Sequence, residues 1–272
     1  MGRSRFFGAV AVTHPAARCL AASADLILYP MGGAFFMQKQ RMSIDRTLYK
    51  TPFSKAYWAQ AASEMDDLRM LLFAALMIAL RVALKSVKIP IAPYLSINVA
   101  FFVNAYGAMV FGPVVAMWAA AISDTLGYIL VPDGVYFFPF VFTEMAGSLI
   151  FALFLYRTEV TALRVTLSRF CVDFFVNVVL TTPIMHLYYR MILGKNYALF
   201  DAMRIVKNLF MFPIESALLT AFLCLVIPPT RRLGFVYSGT DKLTFSSKTV
   251  FMWFECLIVL GTAAFAAYLA MK

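Results

Sequence analysis

Ala75-Leu76-Met77-Ile78-Ala79-Leu80-Arg81-Val82-Ala83-Leu84-Lys85 lies inside an apolar run from Leu71 to Val87. Crossing a bilayer takes about 17–25 apolar residues at about 1.5 Å of rise each, so the run reads as a transmembrane helix. At helical spacing Ala75, Ala79 and Ala83 form one stripe of small side chains, a surface that lets another helix approach closely in lipid. Arg81, Lys85 and Lys88 fall on roughly the opposite stripe. The alanine stripe has two readings, internal packing or an external partner. Lys85 and Lys88, near the helix end, can reach lipid headgroups. Arg81 sits more than a turn inside the run, where a charge is costly unless it faces a polar interior or a partner, and is read as functional.

The 272 residues are 62% hydrophobic and 14% charged, with a mean hydropathy of +0.79. That is far too apolar for a soluble domain and describes a polytopic, all-α membrane bundle. The net charge of +10 is scattered over the tail, loops and helix ends and forms no aromatic-interleaved patch, which argues against nucleic acid. Cys19, Cys171, Cys224 and Cys256 are isolated, so no disulfide framework or metal site is expected.

Residues 1–66 form a mixed tail, expected to be poorly ordered. The stretch from Phe6 to Met37 is interrupted by His14-Pro15, Asp25, Pro30 and Gly32-Gly33, and makes neither a span nor a standard signal peptide. Met42 opens a segment that reads like a normal start. Between Phe53 and Asp67, Tyr57 and Trp58 among polar neighbours suggest a short helix at the membrane surface, with a solvated linker as the alternative.

Span one is followed by a proline-punctuated loop, Lys88 to Tyr94. Span two runs from Ile97 to Phe111 and turns tightly at Gly112-Pro113 into span three, Val114 to Leu130. Val131 to Tyr136 is a loop with strong turn chemistry. Span four covers Phe137 to Tyr156, span five Val165 to Tyr188 and span six Ile205 to Ile227. Residues 67–234 thus hold six helices, and residues 235–272 a polar linker and a seventh span, Val250 to Met271. Lys and Arg counts favour a cytoplasmic N-terminus, by a modest margin.

Polar residues inside the spans share faces: Asp124 with Tyr128, Glu144 with Ser148, Arg169 with Asp173, Asn177 and Thr181, and Arg204 with Asn208 and Glu215, flanked by Lys207. Ionisable groups in lipid face a bundle interior, so these stripes should converge on an outward-opening pocket. Arg169 and Asp173, at salt-bridge spacing near the inner end, read as a pair that fixes helix register. No GxSxG, HExxH, Walker A or CxxC motif occurs, and His14 and His186 lack metal partners at the usual spacings. Neither catalysis nor a cofactor is expected.

The chain resembles the substrate-binding S components of energy-coupling factor (ECF) vitamin transporters, specifically the folate branch. The resemblance runs from about Thr51 to Gly234 and rests on several motifs in order. These are Ala75 to Arg81, Lys85-Ser86-Val87-Lys88-Ile89-Pro90, Phe111 to Ala116, Ile122-Ser123-Asp124-Thr125-Leu126-Gly127, Tyr136 to Phe140 and Arg204-Ile205-Val206-Lys207-Asn208. It implies a six-helix S component in the plasma membrane with a vitamin site near the outer surface, capped by loops one and three. It also implies docking of Ala75 and Ala79, extended by Ala83, on a transmembrane coupling subunit bound to two ATPases. Their ATP-driven change would topple the S component inward. The long tail and the seventh span depart from that pattern, and the latter is expected to pack peripherally.

Folate fits the residues. Its glutamate tail wants cations, for which Arg81, Lys207 and Arg204 are candidates, with Lys85 on the same cationic face. Its pterin suits a carboxylate or amide, with Asp124, Glu144, Asn177 and Asn208 as candidates and Asn104 as a further polar group in span two. Tyr94, Tyr136 and Phe138 are candidate gating or stacking groups. The alternatives are an S component for another vitamin and an integral membrane enzyme acting on a lipid.

Overall fold

The computed structural model describes residues 48–49, 51–85, 87–92, 95–132, 134–195, 202–236 and 238–239, with isolated positions from 243 to 259. At 88–92, 95–97 and 202–206 only the backbone is described. All belong to one unit, Arg46–Lys272. Tyr94, the side chain of Arg204, the tail before residue 48 and most of the seventh span lie outside the described residues.

Helix α1, Lys55–Ser63, starts where the Ser54 hydroxyl accepts from the Tyr57 N–H at 3.2 Å. This N-cap satisfies one of the four donors a helix start leaves open. Tyr57 and Ala61 are fully buried, so the helix packs inward through this edge. A 3-10 turn, Glu64–Asp66, leads to α2, Leu68–Lys85, which carries the alanine stripe and Arg81.

The stretch read as a loop after α2 is a two-stranded antiparallel pair, β1 Lys88–Ala92 and β2 Leu95–Asn98, with an irregularity between Pro90 and Ala92. Prolines at 90 and 93 suggest a loop, but the β-branched Ile89, Ile91 and Ile97 favour extended backbone. Edge strands tolerate the proline nitrogen. The next helix therefore begins three residues later than the sequence reading placed it.

Helix α3, Ala100–Leu130, is two arms joined at Gly112, whose φ of 76° and ψ of 179° are not helical, followed by Pro113. A straight helix would separate Asn104 from Asp124 by about 30 Å, yet both line one cavity. The arms therefore fold back on each other, as the Gly-Pro turn required. Helix α4, Pro139–Leu155, opens with proline in its first turn. Helix α5, Ala162–Cys171, continues through a π-helical segment, Val172–Leu180, into α6, Thr181–Ile192. Helix α7, Ala202–Arg232, carries Pro213 internally and Pro228-Pro229 in its last turns. Among the described residues, three helical stretches are long and apolar enough to cross a membrane: Ala100–Leu130, Ala162–Ile192 and Lys207–Arg232. Arg69, Arg81 and Lys85 make α2 more charged than these.

The core is built around α3, packed against α2 and α4, with Phe111, Phe151, Leu155, Leu219 and Leu223 essentially inaccessible. At the Gly112 end a polar cluster closes the bundle. The Tyr156 hydroxyl donates to Glu64 at 2.9 Å, and Arg157 donates to the same carboxylate at 2.9 Å and to the Tyr156 oxygen at 3.1 Å. Arg157 and Glu64 are 2% and 6% exposed, so neither charge could be buried without the other. The Tyr57 hydroxyl donates to the Ala152 carbonyl at 3.1 Å, and burial pushes its pKa up, which keeps the donor protonated.

The Tyr156 ring lies over Gly112 so closely that a Cβ there would sit 2.9 Å from it. Gly112→Ala is therefore expected to lower stability by at least about 2 kcal/mol, from a glycine-only backbone conformation and the overlap together. Thermal unfolding in detergent measures it.

Candidate functional site

Arg81 and Lys85 are one turn apart on the inner side of α2, and the groups that meet them come from three other stretches. The Arg81 guanidinium donates to Asn104 Oδ1 on the first arm of α3 at 3.0 Å and to the Glu144 carboxylate on α4. The Lys85 ammonium donates to Asp124 on the second arm. Its stem passes over Gly127, where a Cβ would lie 2.8 Å from Lys85 Cδ. In the run Ser123 to Gly127, Asp124 supplies the partner and Gly127 the clearance that lets Lys85 reach it.

These groups face a cavity of about 220 Å³. Its other wall is built by α5, the π segment and α7. Arg169 donates from Nε to Glu215 at 2.9 Å and pairs with Asp173 at 3.0 Å, while Asn177 donates to the same Asp173 oxygen at 3.0 Å. The Arg169–Asp173 pair read as a register device does form, and Arg169 is also part of the cavity wall. Glu215, reaching across from α7, joins it there. The π segment supplies Val172, Val176 and Asn177 to the wall; widened turns of this kind re-aim side chains and recur at functional sites. Phe101 adds an aromatic face, with the Arg169 guanidinium 4.6 Å from its ring centroid, a cation–π contact.

Of the candidates named from sequence, Arg81, Lys85, Asn104, Asp124, Glu144 and Asn177 line this cavity together. Tyr136 packs against Tyr128 at 4.9 Å, and Phe138 is exposed beside Phe142 at 5.4 Å. Neither lies on the cavity wall, and neither do Lys207 and Asn208 on α7. The amide nitrogen of Asn208 is buried without a hydrogen-bond partner. Arg169, Glu215, Phe101 and Phe151 line the cavity beyond those candidates. The charges of Arg169 and Glu215 inside apolar runs were the signal for the first two. The two phenylalanines carried none, being among 27 in the chain.

Away from the cavity, Ala75, Ala79 and Ala83 are exposed on α2, beside Leu72, Leu76 and Leu80. In the C-terminal extension the buried Trp253 indole donates to Thr166 on α5 at 3.0 Å. In the linker, Phe235 stacks on Phe73 with centroids 4.4 Å apart.

Apolar helices around a small cavity walled by paired charges define a membrane protein with a polar site inside its bundle. The chain belongs to the family of ECF-type riboflavin transporter S components, whose model matches residues 66–224. It is 29% identical over 152 residues to the folate transporter FolT of Clostridium novyi (strain NT), a match covering 56% of this chain and 86% of that relative. It is 28% identical to FolT of Leuconostoc mesenteroides subsp. mesenteroides over 151 residues, covering 55% and 81%. A crystal structure of FolT bound with folic acid superposes with a TM-score of 0.52 at 26% identity, covering 63% of this chain and 98% of that one.

Glu215→Ala would remove one of the two carboxylates that meet the buried Arg169 guanidinium and leave Asp173 to balance the charge, and is expected to cost about 1.5–3 kcal/mol of stability, the worth of the lost charge-assisted hydrogen bonds. Glu215→Gln, which keeps an acceptor, should cost less. Comparing their unfolding midpoints in detergent with that of the parent protein checks both.

Proposed function

We propose that this chain captures folate outside the cell and delivers it inward as the substrate-binding subunit of an ECF transporter. The observation that carries the reading is the cavity wall, where Arg81 and Lys85 stand beside Glu144 and Asp124. Folate brings carboxylates at one end, which suit guanidinium and ammonium groups, and a pterin whose adjacent N–H groups suit a carboxylate at the other. Phe101 and Phe151 offer apolar faces for its rings. The FolT relatives, and the FolT structure that holds folic acid, support the same ligand.

A second reading is riboflavin, after the name of the matching family. Riboflavin has no carboxylate to meet the cations on the wall, which places it behind folate.

In this reading the chain is a multi-pass protein of the plasma membrane with a cytoplasmic N-terminus. The exposed face of Ala75, Ala79 and Ala83 docks a transmembrane coupling subunit, which is bound to two ATPases. Small side chains let a partner helix come close in lipid, and the energy for inward toppling enters through that contact. The C-terminal extension, anchored to α5 through Trp253, accompanies the bundle as a peripheral element.

The protein purified in detergent, alone and without an ATPase, is expected to bind tritiated folic acid saturably. Arg81→Ala should weaken binding by more than about tenfold, the worth of a charge-assisted hydrogen bond or more, with expression unchanged. Riboflavin binding without folic acid binding would move the assignment to the second reading.

A further inference from the structure

Asn104 is held by two donors at the same atom. Its Oδ1 accepts from Arg81 Nη1 at 3.0 Å and from Ser148 Oγ at 2.6 Å. A guanidinium has only donors, so the oxygen of the amide, and not its nitrogen, must face Arg81. Ser148 has one hydroxyl proton and two oxygens within reach, Asn104 Oδ1 and the Glu144 carbonyl at 3.0 Å. At 2.6 Å two oxygens without a proton between them would repel, so the proton lies on the contact to Asn104. Ser148 is fully buried and stands behind the cavity wall, while Asn104 is part of it. With Oδ1 bonded twice, the Nδ2 amino group is what Asn104 has left for the cavity, and no partner of it stands among the described residues.

We propose that Ser148 is a positioning residue that fixes the polarity of Asn104, so that the cavity presents an N–H donor there and selects a ligand with an acceptor opposite it. Combined with the folate reading, on which the choice of ligand rests, that acceptor is a pterin carbonyl or ring nitrogen, or a tail carboxylate. Turning the amide over would set its amino group against the Arg81 guanidinium and forfeit the Ser148 bond, so its orientation is fixed before any ligand arrives.

The test is a set of variants titrated with folic acid and, in parallel, with riboflavin. Asn104→Asp keeps the oxygen that Arg81 and Ser148 bond and replaces the cavity-facing amino group by a second oxygen. It is expected to weaken binding more than about 50-fold, because two acceptors then face each other. Tighter or unchanged binding overturns the assigned polarity. Ser148→Ala is expected to cost about tenfold, one hydrogen bond's worth, in the Asn104 background and less than about twofold beside Asn104→Ala. Ser148→Thr, which keeps the hydroxyl, should recover most of the loss. Equal losses in the two backgrounds would mean that Ser148 acts by packing, and the proposal falls. Binding of riboflavin alone removes the folate reading, and the same cycle is then read on riboflavin, whose ring carbonyls are also acceptors. Should neither ligand bind, the cycle is read on the unfolding midpoint: additive effects overturn the positioning role and coupled effects support it.

Discussion

The constraint on which this molecule depends is that a charge inside an apolar bundle must be met there by another group. Arg81 is only 9% exposed, and it sits on a largely apolar helix. Leaving its guanidinium unpaired in such surroundings would cost several kcal/mol. Asn104 and Glu144 meet it from α3 and α4, and that demand fixes where those helices stand relative to α2. The same demand recurs one turn along at Lys85 and Asp124, and across the cavity at Arg169, Asp173 and Glu215. The Arg81, Lys85 and Arg169–Glu215 contacts tie together elements far apart in sequence, while Arg169–Asp173 braces a single helical turn. The cavity is thus the place where the charges are, and the charges are the reason the walls converge.

Two ends of the bundle solve this problem differently. Around the cavity the pairs line an open space, and the Glu144 side chain remains 40% exposed, so a solute can exchange with one partner of a pair. At the Gly112 end, Glu64, Tyr156 and Arg157 are buried and bond one another. That cluster clamps the α3 turn, the 3-10 turn after α1 and the end of α4 together. Arg157 even accepts a positive φ of 47°, a conformation costing a non-glycine residue about 1 kcal/mol, which the enclosed bonds offset. A closed base opposite an open cavity is the arrangement that the toppling proposed above would carry as one body.

The spans were legible because hydrophobic length is a coarse signal that lipid imposes, and the Gly112-Pro113 turn because no other dipeptide there could end one helix and start the next. The cavity was legible at Arg81, Asp124 and Glu144 for the reason just given, since a charge in a span has few places to go. Neutral groups carried no such mark. Phe101 and Phe151 look like any core phenylalanine, and Ser148 was visible only as the neighbour of Glu144 on one face. The β1–β2 pair was hidden by its prolines, whose local preference for a loop was overridden by pairing along the strand edge. The π segment was hidden too, because an i→i+5 turn barely alters the spacing of apolar residues over a few turns.

The described cations of the cavity, Arg81, Lys85 and Arg169, are each paired before a solute enters, and this bears on selectivity more than on affinity. An anion arriving at Arg81 or Lys85 must compete with Glu144 or Asp124, so a ligand that brings only negative charge displaces one carboxylate without replacing its partner, at greatest cost for Asp124, whose side chain is 12% exposed. A ligand that brings an anion for the cation and N–H donors for the displaced carboxylate strands nothing. The free energy of leaving a buried charge unpaired exceeds that of most single hydrogen bonds made on binding. Discrimination therefore falls on the ligand's pattern of donors and acceptors. A small inorganic anion cannot satisfy such a wall, while a molecule with a fused-ring donor edge and an acidic tail can. That is the chemical sense in which a cavity already full of ion pairs is suited to binding a vitamin.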